Sequence, residues 1–90
     1  MQTIAITVSG KVQGVFYRQS TKEMATSIGV SGFARNLPDG NVYILATGTK
    51  EQLDKLVAWC RQGPPKARVS GIDVQQLSSQ IFEGFTIQRN

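Results

Sequence analysis

The sequence predicts an α+β fold, a ferredoxin-like βαββαβ sandwich with an antiparallel sheet and two helices on one face. Segments that alternate apolar and polar residues, typical of half-buried strands, are interleaved with two segments of helical apolar spacing. Each helical segment carries its apolar residues as one stripe, so each helix covers the sheet with one side only. A chain of 90 residues can build one small core. We therefore expect a single domain over residues 1–90.

The first part of the chain predicts a strand, a loop and a helix. Residues 3–9 alternate as a half-buried strand does, with Ile4, Ile6 and Val8 on one side. A loop marked by two glycines follows, and the next segment has the spacing of an amphipathic helix at Thr21, Met24, Ala25 and Ile28. Gly29 is well suited to end this helix.

The middle of the chain predicts a β-hairpin. Residues 30–37 form its first strand and residues 42–48 its second, and the segment Pro38-Asp39-Gly40-Asn41 favours a tight turn between them. Asn36 shares a strand face with Ala34 and lies at the end of the strand beside the turn. Binding and catalytic residues are often found at such positions.

The last part predicts a second helix and two strands. Thr49 and Gln52 have the spacing of a capping box, and the apolar stripe that follows consists of Leu53, Leu56, Val57 and Cys60. Trp59 lies off this stripe, so we expect it at the helix flank and partly exposed. Glycine and proline at residues 63–65 end the helix, residues 69–77 supply a fourth strand, and residues 85–87 supply a short closing strand.

The order of the strands decides whether the loop and Asn36 can meet. Right-handed crossovers bring the loop after the first strand close to the end of the second strand only if these two strands are neighbours. We therefore expect the first and second strands to be adjacent in the sheet.

Composition restricts the classes of function. The net charge of +4 and the pI near 9.7 favour anionic partners, which include phosphorylated small molecules and nucleic acids. The chain has no histidine, its single Cys60 is expected in the core, and no acidic cluster has metal-ligand spacing, so we expect neither a metal nor another cofactor. Because no signal peptide or membrane span is evident, we expect a soluble, cytoplasmic protein.

The loop between Gly10 and Arg18 is the best candidate for a binding site. Glycines permit a tight turn whose N–H groups converge on an anion, and the helix that follows adds its free N–H groups and the positive end of its dipole. The guanidinium of Arg18 matches a tetrahedral oxyanion such as phosphate. The loop fits neither the P-loop pattern nor the dinucleotide fingerprint. A simple turn beside a solvated arginine remains the alternative.

Two motifs in the chain resemble the signatures of a known family. One motif is the run VSGKVQGVFYR at residues 8–18, followed by Thr21. The other is the run GVSGFARN at residues 29–36, followed by DGNV at residues 39–42 and by Gly48. Both motifs, in this order, resemble the acylphosphatase family. The resemblance implies the same sandwich fold and the metal-independent hydrolysis of acyl phosphates to a carboxylate and inorganic phosphate.

The resemblance also implies roles for individual residues. Arg18 matches the arginine that binds the phosphate, and Asn36 matches the catalytic asparagine that holds a water in line with the phosphorus. Together with the Arg18 side chain, a phosphate-binding cradle would be formed by the backbone N–H groups of Gln13, Gly14, Val15, Phe16, Tyr17 and Arg18. Gly10 and Thr21 match supporting positions. Since neither catalytic residue is a strong base, the resemblance implies that the substrate's own phosphate oxygens accept the proton from water.

Several alternatives and departures remain open at this point. Asn36 could be a turn-flanking residue, and Thr21 could be a core-facing helix residue instead of a support for the loop. The chain departs from the family pattern at Leu37 and in its tail, residues 88–90, where Arg89 could form a stabilising pair. A nucleic-acid-binding module and a module that serves a carbamoyl-phosphate-handling or regulatory partner are the other functional classes. We expect a monomer, a small-molecule acyl phosphate as partner, and no nucleic acid.

Overall fold

The computed structural model describes residues 1–89, which form two helices and a five-stranded sheet. The elements are β1 (Gln2–Lys11), α1 (Tyr17–Ile28), β2 (Ser31–Asn36), β3 (Val42–Gly48), α2 (Lys50–Gln62), β4 (Arg68–Leu77) and β5 (Phe85–Gln88). Every predicted element is present, and β1 is longer at both ends than its apolar alternation indicates. The ferredoxin-like α+β fold is confirmed.

The sheet is mixed, with the strand order β4-β1-β3-β2-β5. The first four strands pair antiparallel, whereas β5 pairs parallel with β2. The backbone N–H of Gln80 donates to Thr3 Oγ1 at 2.9 Å, and Thr47 Oγ1 donates to the Gln80 carbonyl at 2.9 Å. The segment after β4 therefore crosses the face of the sheet opposite the helices, and the chain then enters the sheet beside β2.

The expectation that β1 and β2 are neighbours is wrong, because β3 lies between them. The tight turn keeps β3 paired with β2, and β3 then occupies the position beside β1, as in a split βαβ arrangement. The register still brings the relevant ends close. Val42 at the start of β3 pairs with Val8 on one side and with Asn36 on the other. The loop after β1 and the end of β2 are thus separated by the width of one strand.

The core lies between the helices and the strand face that carries Ile4, Ile6 and Val8. Both predicted helix stripes face it, and Cys60 is fully buried there. Burial raises the pKa of the Cys60 thiol to about 12, so the thiol is neutral at physiological pH. Trp59 is half-buried at the flank of α2, as predicted. No helix within residues 1–89 is long and apolar enough to cross a lipid bilayer.

Candidate active site

The loop between β1 and α1 has an unusual backbone. Gly14 has a φ of 73° and Phe16 a φ of 63°, both in the left-handed region. Within residues 1–89, Phe16 is the one non-glycine residue with a positive φ. This conformation costs a residue with a side chain about 1–2 kcal/mol. Left-handed residues at alternate positions turn successive N–H groups toward the same side, which is the geometry of an anion-binding concavity.

The start of α1 extends this concavity. Phe16 precedes the helix without a side-chain cap, and the first turn carries no acidic residue. The first N–H groups of a helix have no partner within the helix, and they lie at the positive end of its dipole. The start of α1 therefore offers N–H donors and positive potential to an anion.

Tyr17 fixes this helix start to the rest of the molecule. Its side chain is buried, its hydroxyl donates to the carbonyl of Cys60 at 2.7 Å, and its ring lies 5.5 Å from that of Trp59. A Cβ on Gly63 would lie only 2.7 Å from the Tyr17 ring, so the close approach of the two helices requires glycine there. Burial raises the pKa of Tyr17 far above its usual value. The Tyr17 side chain is structural, so only the backbone of this residue is available to an anion.

Gln13 joins the loop to the β2–β3 turn. Its Nε2 donates to the carbonyls of Leu37 at 2.8 Å and Asn41 at 2.9 Å. These bonds connect the loop after β1 to the turn after β2, across the width of β3. They explain how β1 and β2 can contribute to one site although they are not adjacent. The sequence assigned only the backbone N–H of Gln13 to the site, and no spacing pattern indicates the role of its side chain. The Leu37 carbonyl accepts one of these bonds, at a position where the chain departs from the family pattern.

A cleft of about 450 Å³ opens between the loop, the end of β2 and the end of β5. Its lining residues are Val12, Gly14, Phe16, Tyr17, Arg18, Gln19, Asn36, Ile87 and Arg89. The structure thus brings Arg18 and Asn36 together. Arg18 Nη1 donates to the carbonyl of Gln88 at 3.2 Å, which holds the guanidinium beside the end of β5.

Two residues of β5 and its tail belong to this cleft although the sequence did not indicate it. Ile87 lies in the closing strand, and Arg89 follows that strand and lines the cleft together with Arg18. Arg89 also lines a neighbouring hollow that contains Gln13 and Asn36. No periodicity shows which end of the sheet a short final strand will reach. Asn90, the last residue of the predicted tail, lies outside the described residues.

Three of the predicted site residues make their contacts in the sheet or in the core. Gly10 lies in β1 at a bulge against β4, where a Cβ would lie 2.1 Å from the Arg68 carbonyl oxygen. Thr21 is fully buried, and its hydroxyl donates to the Tyr17 carbonyl at 2.8 Å, which favours the core-facing alternative. Val15 directs a buried side chain into the core, so only its backbone can face an anion.

The cleft is electropositive. Two arginines and the start of α1 face it, and none of the described residues that line it is a carboxylate. Within residues 1–89, no group of three or more His, Cys, Asp or Glu side chains could hold a metal ion. An anion is the ligand that this charge distribution favours.

The face of the sheet opposite the helices carries a second cluster of interest. The Phe33 ring packs 6.2 Å from that of Tyr43 and 6.0 Å from that of Phe82, and the Arg35 guanidinium lies 5.2 Å from the centre of the Tyr43 ring. Phe82 belongs to the segment that follows β4. Since Phe33 is half-buried by these contacts, it differs from the free aromatic surface on which single-stranded nucleic acids stack.

Comparison with known proteins gives a consistent result. A model of the acylphosphatase family matches residues 4–87. An acylphosphatase of Methylococcus capsulatus is 49% identical over 91 residues, covering 100% of this chain and 99% of that protein. One of Acaryochloris marina is 52% identical over 82 residues, covering 91% of this chain and 88% of that protein. The crystal structure of acylphosphatase from Bacillus subtilis superimposes with a TM-score of 0.94 at 32% identity, covering 98% of this chain and 99% of that one.

Proposed function

The chain belongs to the acylphosphatase family, whose members hydrolyse acyl phosphates, and from this premise we propose that it uses the cleft between Arg18 and Asn36 for that reaction without a metal ion. The observation that carries the proposal is that both side chains line one cleft above the uncapped start of α1. Phosphoryl transfer depends mostly on positioning and charge stabilisation, and this cleft offers both.

In this proposal the phosphate binds in the cradle of the loop. Backbone N–H groups of residues 13–18 donate to its oxygens, and the Arg18 guanidinium offsets part of its negative charge through two parallel hydrogen bonds. The Gln88 carbonyl supports the guanidinium from the side of β5. Because Gln13 ties the loop to the β2–β3 turn, the cradle is held in place before the substrate arrives.

Asn36 positions the attacking water. Its amide can accept a hydrogen bond from the water and donate another, and its place at the end of β2 lies across the cleft from the loop. The water oxygen attacks phosphorus as the bond to the acyl oxygen breaks, and the leaving carboxylate takes that electron pair. The carboxylate is a good leaving group, so the reaction requires no strong general acid.

The proton of the attacking water passes to an oxygen of the substrate's own phosphate. Among residues 1–89, no histidine or carboxylate that could accept it instead lines the cleft. The rate should therefore vary broadly with pH according to the ionisation of the substrate. A sharp dependence on an enzyme pKa that disappears when Glu23, Asp39 or Glu83 is replaced would contradict this step.

Isotope labelling of the products tests the proposal directly. The wild-type chain is incubated with acetyl phosphate or benzoyl phosphate in ¹⁸O-labelled water with excess chelator. We expect rapid turnover, inhibition by inorganic phosphate, and the label in the phosphate. Label in the carboxylate would mean attack on carbon and would reject the role of Asn36. Loss of turnover on adding chelator would reject a metal-free reaction.

We also propose the setting in which the chain works. A small-molecule acyl phosphate is its partner, and the site requires no cofactor. The chain acts as a monomer in the cytoplasm and does not depend on nucleic acid. Sedimentation at micromolar concentration tests the monomer, and an activity unchanged by added single-stranded RNA tests the last point.

A further inference from the structure

Both the backbone conformation and the side-chain exposure of Phe16 are unfavourable for the stability of the fold. Its backbone is left-handed, with a φ of 63°, although it is not a glycine. Its side chain is 76% exposed, so a large apolar surface lies in water. Strained backbone combined with an exposed aromatic ring at a binding site is expected where the ring has a function in binding.

The position of Phe16 indicates what the ring could bind. The large exposed apolar residues among those described are Met1, Phe16, Val74 and Ile81, and of these only Phe16 lines the cleft. Ile87 is half-buried, lines the same cleft and adds apolar surface, whereas Arg18, Asn36 and Arg89 supply its polar groups.

An acyl phosphate has the same division into a polar and an apolar part. Its phosphate is a doubly charged anion that the arginine and the loop would hold, and its acyl group extends away from the phosphate. Phe16 precedes Arg18 by two positions in the chain, and both residues line the cleft. The exposed ring of Phe16 therefore lies at the rim of the cradle. An acyl group that leaves the cradle toward this rim would contact the ring.

We propose that Phe16 is a specificity-determining residue whose ring binds the acyl group, so that the chain prefers acyl phosphates with an aromatic or other large apolar acyl group. This inference rests on the proposed function and adds the class of substrate. The left-handed backbone serves two purposes at once, since the Phe16 N–H belongs to the cradle while the side chain stays exposed at the rim.

The test compares kcat/KM for benzoyl phosphate with kcat/KM for acetyl phosphate. The wild type should prefer benzoyl phosphate, and Phe16→Ala should lower the ratio of the two values about tenfold, mainly through KM for benzoyl phosphate, because one aromatic contact is removed. Ile81→Ala is the matched control, since Ile81 is 94% exposed and lies outside the cleft. It should leave the ratio at the wild-type value.

A second variant covers the case in which Phe16→Ala does not fold. Phe16→Gly also removes the ring, and glycine adopts a positive φ readily, so it should fold and show the same fall in the ratio. A ratio that stays within about twofold of the wild type in a folded variant overturns the inference. Wild-type turnover of acetyl phosphate without preference for benzoyl phosphate also overturns it but leaves the proposed function intact. Turnover of neither substrate rejects both.

Discussion

The N-terminus of α2 is closed by side chains of its own segment, whereas the N-terminus of α1 is left open toward the cleft. In α2, Thr49 Oγ1 accepts from the Gln52 N–H at 3.2 Å, and Gln52 Oε1 accepts from the Thr49 N–H at 2.9 Å. Glu51 adds a negative charge to the first turn of α2. The first turn of α1 carries no acidic residue, its preceding residue is strained, and its second residue is the cation Arg18.

The difference shows how one structural element can serve two purposes. Free N–H groups at a helix start cost stability unless something binds them. In α2 the sequence supplies that partner and the helix start is stable by itself. In α1 the donors stay available, and a positive side chain is placed where the helix dipole disfavours it. In the proposed function, an anion bound between the helix start and Arg18 would remove both costs of α1.

The largest expected effect concerns the arginine at the start of α1. Arg18→Ala removes the charge-assisted hydrogen bonds to the phosphate and should lower kcat/KM for benzoyl phosphate by about 10³-fold or more. Arg18→Lys should be nearly as severe, because a point charge does not reproduce the planar fork. The control is Arg61→Ala, in the last turn of α2, which should retain wild-type activity. If a folded Arg18→Ala variant kept its activity within tenfold of wild type, the proposal that the N-terminus of α1 is an anion site would be rejected.

The next effect concerns the residue opposite the open helix start. Asn36→Ala should lower kcat about 10²- to 10³-fold, because one group that positions the water is lost. The inhibition constant for phosphate should change little, since the proposed role of Asn36 is to position the water. Asn41→Ala provides the control, because the Asn41 side chain bonds Asp39 and lies outside the lining of the cleft. Equal losses in both variants would mean that the turn, and not the amide of Asn36, matters.

Alanine substitutions at two glycines distinguish the effect of backbone strain from an effect on binding. Gly14 and Gly40 both have a positive φ, and among residues 1–89 no heavy atom beyond the adjacent residues lies within 4 Å of a Cβ added to either. Replacing either with alanine should destabilise the chain by about 1–2 kcal/mol, measured by urea unfolding. Only Gly14→Ala should also lower kcat/KM, by about tenfold, because its Cβ would disturb the cradle before α1. Equal activity in the two variants would remove Gly14 from the site.

Alkaline pH tests the contact between the start of α1 and the end of α2. The pKa of Cys60 is raised by burial from 9.0 to about 12, and that of Tyr17 is raised from 10.0. Their contribution to stability is complete below pH 9 and decreases as pH rises toward 12, because the unfolded chain releases protons that the folded chain retains. Urea midpoints at pH 8 and pH 10.5 should show the decrease, and Cys60→Ala should reduce it. An identical decrease in Cys60→Ala would rule out the thiol.

The smallest effect concerns the cap of α2. Thr49→Ala removes one half of the capping box and should cost about 1 kcal/mol, which lowers Tm by roughly 4–8 °C for a domain of this size. The variant should keep its activity and should gain the same stabilisation from added phosphate as the wild type, because the proposed phosphate site lies at α1. A large loss of activity would show that the two helix starts are not independent.

Local patterns in the sequence predicted most of the fold. Alternation placed Ile4, Ile6 and Val8 in the core, and the helical stripes placed Ala25 and Leu56 there. The cap at Thr49 and the stop at Gly29 were also readable, because they depend on residues close in the chain. The parallel pairing of β5 and the position of β3 between β1 and β2 were not predicted, since both depend on contacts between distant segments.

By itself the sequence determined the helices and strands, and it predicted the anion-binding loop and, through its resemblance to a family, the pair Arg18 and Asn36. Only the tertiary structure decided that Gln13 bridges to the β2–β3 turn, that Arg89 and Ile87 reach the cleft, and that Phe16 is both strained and exposed. The physical reason is the distance along the chain over which each effect acts. Propensity, capping and periodicity act over a few residues, whereas a cleft is formed by side chains that packing brings together from separate parts of the chain.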